Sequence, residues 1–144
     1  MTDPTTPPAD AGTDSADRIA RITWSMIAEP SDPIAFAACA ALGPAAALRL
    51  TRRKDTPGLL RALGGEVPRQ AADPDRGTPT SRAENAIARW TKRLARVDVD
   101  AVRQDARRRG IRVLTPHDAE WPDLLEDLHE SSPHCLWVQG PGHL

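Results

Sequence analysis

The chain has 144 residues, of which 40% are hydrophobic and 3% aromatic, enough for one small domain with a mainly aliphatic core. A net charge of −1 excludes a protein that is basic throughout, and two widely separated cysteines exclude a disulfide framework. Residues 1–16 contain no lysine, arginine or apolar run, and no stretch reaches the roughly 18 apolar residues of a membrane span. We therefore expect a cytoplasmic protein without a signal peptide or membrane contact.

The charges are distributed unevenly along the chain. Residues 49–112 hold 17 basic and 8 acidic residues, a net charge of +9. Residues 113–144 hold six acidic residues and no lysine or arginine. Such asymmetry is typical of a nucleic-acid-binding surface, and it is equally compatible with two segments that pair with each other.

Four short helices are predicted in the first half of the chain, after a tail of residues 1–16 that is predicted to be disordered. Asp17 is the expected cap of the first helix and Asp32 that of the second. Gly43 separates the second helix from the third, and Thr56 begins the fourth. Since none of these helices is long enough to be stable alone, they are predicted to pack into a bundle of the sterile-alpha-motif or helix-hairpin-helix kind.

Two further helices are predicted after an exposed loop at residues 65–79, which contains three prolines and no apolar periodicity. Ser81 begins a capping-box sequence for the first of them, and Asp98 is the expected cap of the second. Gly110 is the expected C-terminal stop. The predicted helical domain therefore covers residues 17–109.

The pattern changes after the sixth helix. Residues 111–115 and 135–138 are predicted strands, because they are short and rich in β-branched or apolar residues, with one short helix between them. A β-α-β unit normally implies a parallel strand pair within a larger sheet. Residues 110–144 are therefore predicted to be the opening of an α/β domain that the chain leaves incomplete, and the predicted fold class is mostly α.

Three short motifs mark this C-terminal segment: a Gly-Ile strand start, an aromatic-Pro-x-x-Leu turn, and a Pro followed by Leu-aromatic-aliphatic-x-Gly. Their residues are Gly110, Trp121, Pro122, Leu125, Pro133, Leu136, Trp137 and Gly140. Together they resemble the DprA/Smf family of DNA-processing proteins. The resemblance covers residues 17–140 and is specific over 110–140, with tryptophan at two positions where the family more often has tyrosine or phenylalanine.

The resemblance implies a protein that binds single-stranded DNA during natural transformation and helps to load the RecA recombinase onto it. It also implies a Rossmann-like DNA-binding core, of which residues 110–144 are the start. The family's Gly-Ser-Arg loop, which helps to hold the phosphate backbone, should follow Gly140, and this sequence does not contain it. We therefore expect a truncated chain, onto which no DNA-contact residue of the family can be transferred.

A separate candidate for nucleic-acid contact lies in the helical part. Gly43 stands between two helices, and four basic residues follow it: Arg49, Arg52, Arg53 and Lys54. In a helix-hairpin-helix motif, a glycine hairpin lets backbone N–H groups approach a phosphate. The second glycine of such hairpins is missing here, so an ordinary glycine cap followed by a helix-starting proline is the simpler interpretation.

Arg107, Arg108 and Arg109 form a second basic run, at the end of the sixth predicted helix. Three adjacent guanidinium groups resemble a phosphate clamp, but cations at a helix C-terminus also complement the helix dipole without a ligand. Asp105 lies four residues before Arg109, so part of this charge is predicted to be paired locally.

No motif in the sequence indicates catalysis. There is no nucleophile–base arrangement and no phosphate-binding glycine loop, and the histidine and cysteine spacings match no common zinc pattern. We therefore predict no enzyme activity, no cofactor and no metal. The hypotheses that remain are a DprA-type protein and a freestanding helical module that binds nucleic acid or a protein partner through residues 49–112.

Overall fold

The computed structural model describes residues 10–69 and 77–141. Within these ranges the chain is mostly helical, as predicted, with a small two-stranded sheet at the C-terminal end. The elements in chain order are α1 (Asp10–Ile27), α2 (Pro33–Leu42), α3 (Pro44–Arg52), α4 (Thr56–Ala62), α5 (Pro79–Leu94), α6 (Val99–Arg108), β1 (Ile111–Leu114), a 3-10 helix (Asp123–Ser131) and β2 (Leu136–Gln139).

Several helix ends lie where the local sequence signals place them. Asp32 caps α2, and its Oδ1 accepts the N–H groups of Ile34 and Ala35 at 3.0 and 3.1 Å. Asp98 caps α6 in the same way. Gly110 follows α6 with a φ of 66°, the left-handed conformation that glycine adopts without strain.

Two predicted helix starts are wrong. Helix α1 begins at Asp10 and not after Asp17, so residues 10–16 are helical where a disordered tail was expected; residues 1–9 lie outside the described residues. Once a helix exists, each added residue gains a hydrogen bond, and residues 10–16 contain no proline to stop it. Helix α5 is capped by Thr78, whose Oγ1 accepts the N–H of Ser81 at 3.1 Å, because the proline after Thr78 occupies the first helical position.

The predicted exposed loop at residues 65–79 is described only in part, since residues 70–76 lie outside the described residues. Val67 belongs to the hydrophobic core and is 5% exposed. Its carbonyl oxygen also accepts a hydrogen bond from Arg82 Nε at 3.1 Å. The first part of the segment is therefore held against the bundle.

Two tryptophans occupy the centre of the core. Trp24 on α1 and Trp90 on α5 meet edge to face, with ring centroids 5.0 Å apart. Trp24 Nε1 donates to the carbonyl oxygen of Pro44, and Trp90 Nε1 donates to Asp32 Oδ2, each at 3.0 Å. Aromatic pairs in this geometry add stabilisation beyond the area they bury, and both polar ends are satisfied. Trp90 and the apolar residues one turn before it on α5, Ala86 and Ile87, thus belong to the hydrophobic core.

The predicted parallel strand pair is wrong. Strands β1 and β2 are antiparallel, with Ile111 opposite Gln139 and Leu114 opposite Leu136. A parallel pair needs a crossover, usually a long α-helix, and the segment between these strands forms a 3-10 helix instead of the predicted α-helix. The chain therefore turns back on itself as a wide hairpin.

This C-terminal hairpin docks on α1. Arg18 on α1 donates to both carboxylate oxygens of Asp118 at 2.8 Å and to the carbonyl oxygen of Val113 at 2.9 Å. The hydrogen bonds from Arg18, together with those from Thr115, hold the pKa of Asp118 at about 2. Two strands alone are marginally stable in water, so this docking supplies the packing that they lack.

No single helix among the described residues is long and apolar enough to cross a membrane. Helices α2 and α3 meet that test only when taken together, by length and composition, and they are bent by 113° at their junction.

Replacing Trp90 by phenylalanine tests the buried hydrogen bond at the centre of the core. The substitution removes the donor to Asp32 Oδ2 and part of the packed ring, so we expect the free energy of unfolding to fall by about 2–4 kcal/mol in urea titrations. Trp137→Phe is the matched control, since Trp137 is 40% exposed. A loss below about 0.5 kcal/mol in W90F would contradict this account of the core.

The His134 side chain predicts a pH-dependent stability. It stacks on Trp24 with ring centroids 6.1 Å apart, and burial, with a smaller effect of Arg21, lowers its pKa to about 4 from the ordinary 6.5. The neutral imidazole thus stabilises the fold fully above about pH 6.5, and this contribution is lost as the pH falls toward 4. We expect a loss of about 2–3 kcal/mol over that window in denaturant titrations. His134→Gln should flatten the curve there; an equally steep curve would contradict the prediction.

Candidate nucleic-acid interface

Some basic residues of the described ranges hold the fold, and others face solvent. Arg93 donates to the carbonyl oxygen of Ile27 at 3.2 Å and pairs with Glu29, which ties α5 to the end of α1. Arg82 donates to backbone carbonyl groups on both sides of the segment that precedes α5. Residues of this first kind are not available to a ligand without a cost to the fold.

The four basic residues predicted from sequence belong to the second kind. Arg49, Arg52, Arg53 and Lys54 lie together at the C-terminal end of α3, are exposed, and form no ion pair with any described residue. Their position at a helix C-terminus is favourable even without a ligand, because the helix dipole places partial negative charge there.

The acidic C-terminal segment does not neutralise this cluster, although such pairing was one of the two interpretations of the charge asymmetry. Asp118 pairs with Arg18 on α1, and Glu120 pairs with Arg112 at the border of the basic segment, at 2.9 Å. Hydrogen bonding to Glu120 raises the pKa of Arg112. The cations at the end of α3 therefore keep their charge uncompensated by any described residue.

Helix packing adds a residue that the sequence did not identify as part of a site. Lys54 and Thr56 form one wall of a shallow cleft of about 550 Å³, and Thr91 and Lys92 on α5 form the other. Glu84 is the one acidic residue that lines it. The sequence does not single out Lys92, because its proximity to Lys54 depends on how α4 packs on α5.

The structure does not bring Gly43 to this cluster. Gly43 lies at the opposite end of α3, a helix about 13 Å long at 1.5 Å per residue. Its backbone N–H is already bonded to the carbonyl oxygen of Cys39 at 2.8 Å, so it offers no donor to a phosphate. Gly43 thus acts as the junction between α2 and α3, with a φ of 86°.

Lys54 has an unusual backbone conformation for a lysine. Its φ of 54° lies in the left-handed region, where it completes the end of α3. The N–H of Lys54 bonds to the carbonyl oxygen of Thr51, and the N–H of Asp55 bonds to that of Leu50, a Schellman arrangement that usually has glycine in this place.

The residues that resemble the DprA/Smf motifs shape the hairpin and its junction with α6. Gly110 and Gly140 both have positive φ values, at the start of β1 and just after β2. Trp121 is buried at 6% exposure, and its Nε1 finds no hydrogen-bond partner among the described residues. Pro122 directly precedes the 3-10 helix.

The remaining motif residues lie along the 3-10 helix and β2. Leu125, Pro133 and Leu136 are half-buried. Trp137 lies opposite Val113 in the sheet and is 40% exposed, whereas Trp121 is buried.

The Arg107–Arg109 run is partly paired, as its spacing predicts. Asp105 contacts Arg109 at 2.9 Å and Arg108 at 3.6 Å. Arg107 forms no ion pair with any described residue.

Neither thiol has the environment of a reactive cysteine. Burial raises the pKa of Cys39 to about 12 and also raises the pKa of Cys135. Arg21 lies near both, and burial lowers the pKa of its guanidinium group. No group of three or more histidine, cysteine or acidic side chains in the described ranges is placed to hold a metal.

Comparisons of the chain with family models, with curated proteins and with solved structures give no significant match.

Replacing Lys54 by glycine separates its backbone role from its charge. Relief of the left-handed strain should raise the free energy of unfolding by about 0.5–1 kcal/mol in urea titrations. Arg53→Gly is the matched control, because Arg53 has an ordinary helical φ of −81° and should lose about that amount. The same sign of change in both variants would contradict the assignment of strain to Lys54.

Proposed function

We propose that this chain is a cytoplasmic, non-catalytic DNA-processing protein of the DprA type, which binds single-stranded DNA and assists RecA loading during natural transformation. The motif set from Gly110 to Gly140 supports the family assignment. A Rossmann-like core would belong to the same assignment, with β1 and β2 as an antiparallel element at its start.

The observation that carries the DNA-binding part is the excess of positive charge around the cleft between Lys54 and Lys92. Lys54 and Lys92 both line this cleft, with Glu84 as its one acidic lining residue, and Arg52 and Arg53 lie beside Lys54 with no ion pair to any described residue. Lysine and arginine bind a phosphate backbone through charge, without reading bases. The binding should therefore be independent of sequence and sensitive to salt.

A helical module that binds an acidic protein surface is the second candidate. It is favoured by the same unpaired cations, since carboxylates would suit them as well as phosphates. It differs from the first in that the chain would bind its acidic partner more tightly than a single-stranded oligonucleotide at physiological salt.

Fluorescence anisotropy with a labelled oligothymidylate of about 20 nucleotides tests the proposal. Binding should weaken steeply between 50 and 200 mM salt. The double variant Lys54→Gln, Lys92→Gln should bind about tenfold more weakly, and the slope of log affinity against log salt should lose the contribution of about one phosphate contact per lysine. Arg108→Gln is the control, since it removes one charge from a helix face outside the cleft. No binding at 50 mM salt, or an equal loss in the control, would reject DNA binding at this surface.

A further inference from the structure

A second basic cleft lies between α1, α6 and β1, on elements other than those around Lys54. It has a volume of about 320 Å³, and four of its eight lining residues are arginines; none is acidic. The arginines are Arg18, Arg103, Arg107 and Arg112, and the aliphatic residues include Ile22 and Ile111. Such a combination of guanidinium groups and apolar surface suits an anion that carries an apolar or aromatic part.

Two of the four guanidinium groups are held in place from outside the cleft. Arg18 forms a bidentate contact with Asp118. Arg112 forms another with Glu120, at 2.9 and 3.2 Å. Because both oxygens of each carboxylate are engaged, these contacts restrict the orientations of Arg18 and Arg112. They form a preorganised wall of the cleft.

The other two arginines lie on α6 and lack comparable partners. Arg103 approaches Asp100 at 3.6 Å, and Asp100 is 84% exposed, so the pair is long and solvated. Arg107 forms no ion pair with any described residue. The two residues are four apart on one helix, where like charges repel each other. An anion bound between them would attract both side chains and offset their mutual repulsion.

We infer that this cleft binds the phosphate group of a nucleotide, which Arg103 and Arg107 hold directly while Arg18 and Arg112 close the far side. The guanidinium forks match the geometry of phosphate oxygens, and the aliphatic wall receives the sugar or base. The phosphate comes either from a free nucleotide or from the end of a nucleic-acid strand. This inference does not depend on DNA binding at the cleft between Lys54 and Lys92.

Calorimetric titration of the full chain tests the site with three probes: pyrophosphate, AMP and an oligothymidylate that carries a 5′-phosphate. Arg103→Gln with Arg107→Gln should weaken pyrophosphate and at least one nucleotide probe by about tenfold or more. Arg61→Gln with Arg96→Gln is the matched control, since it removes two exposed charges from outside the cleft, and it should change binding less than about twofold.

The probes separate the two sources of phosphate. A cleft-dependent loss with AMP supports a free nucleotide, and a cleft-dependent loss with the phosphorylated oligonucleotide, but not with its 5′-hydroxyl form, supports a strand end. The inference is overturned if neither nucleotide probe binds, or if the control variant weakens binding as much as the cleft variant. If the lysine variants do not affect DNA binding, the proposed DNA interface at Lys54 and Lys92 is rejected. The inference about the cleft between α1, α6 and β1 is not affected by that outcome.

A second measurement covers the case in which the double glutamine variant is unstable. In the wild-type protein, pyrophosphate should shift the NMR signals of the Nε–H groups of Arg103 and Arg107, and leave those of Arg61 and Arg96 unchanged. The lysine variants Arg103→Lys and Arg107→Lys should retain part of the affinity, because they keep the charge and lose the forked geometry. Unshifted signals at both cleft arginines would also overturn the inference.

Discussion

The buried carboxylate of Asp32 is the constraint on which the helical bundle depends. One of its oxygens caps the first turn of α2, and the other accepts the indole N–H of Trp90 on α5. A buried carboxylate is tolerated only where its oxygens are hydrogen-bonded, so the position of α5 relative to α2 is tightly restricted. Trp90 then packs edge to face on Trp24, whose own N–H reaches the first residue of α3. Four helices are thus positioned by one continuous set of contacts.

A second constraint, the contact between Arg18 and Asp118, joins the C-terminal hairpin to this bundle. Because Arg18 also binds the carbonyl oxygen of Val113, it fixes both the end of β1 and the turn that follows. His134 reaches the bundle from the other side of the hairpin and stacks on Trp24. The hairpin therefore contacts the tryptophan core, and this docking holds β1 beside α1 at the cleft between α1, α6 and β1.

Local signals in the sequence predicted local structure well, and they could not predict contacts between distant segments. The caps at Asp32 and Asp98 depend on neighbouring residues alone, so they could be predicted from the local sequence. The antiparallel pairing of β1 with β2 could not, since it depends on whether the connecting segment forms an α-helix or a 3-10 helix. The meeting of Lys54 with Lys92, and of Asp32 with Trp90, likewise depends on how α5 packs. The sequence therefore predicted the part of the candidate site around Lys54 and did not predict Lys92.

Two of the departures from local stability rules among the described residues involve basic side chains that line a cleft. Lys54 adopts a left-handed conformation where glycine would be unstrained, and Arg103 and Arg107 place like charges four residues apart on one helix. Natural sequences keep such local costs mainly where the residue serves another purpose. An anion bound between Arg103 and Arg107 would offset the repulsion on α6, whereas the backbone strain at Lys54 would remain. The proposed phosphate site beside α6 therefore rests on a physical argument that makes no reference to family resemblance.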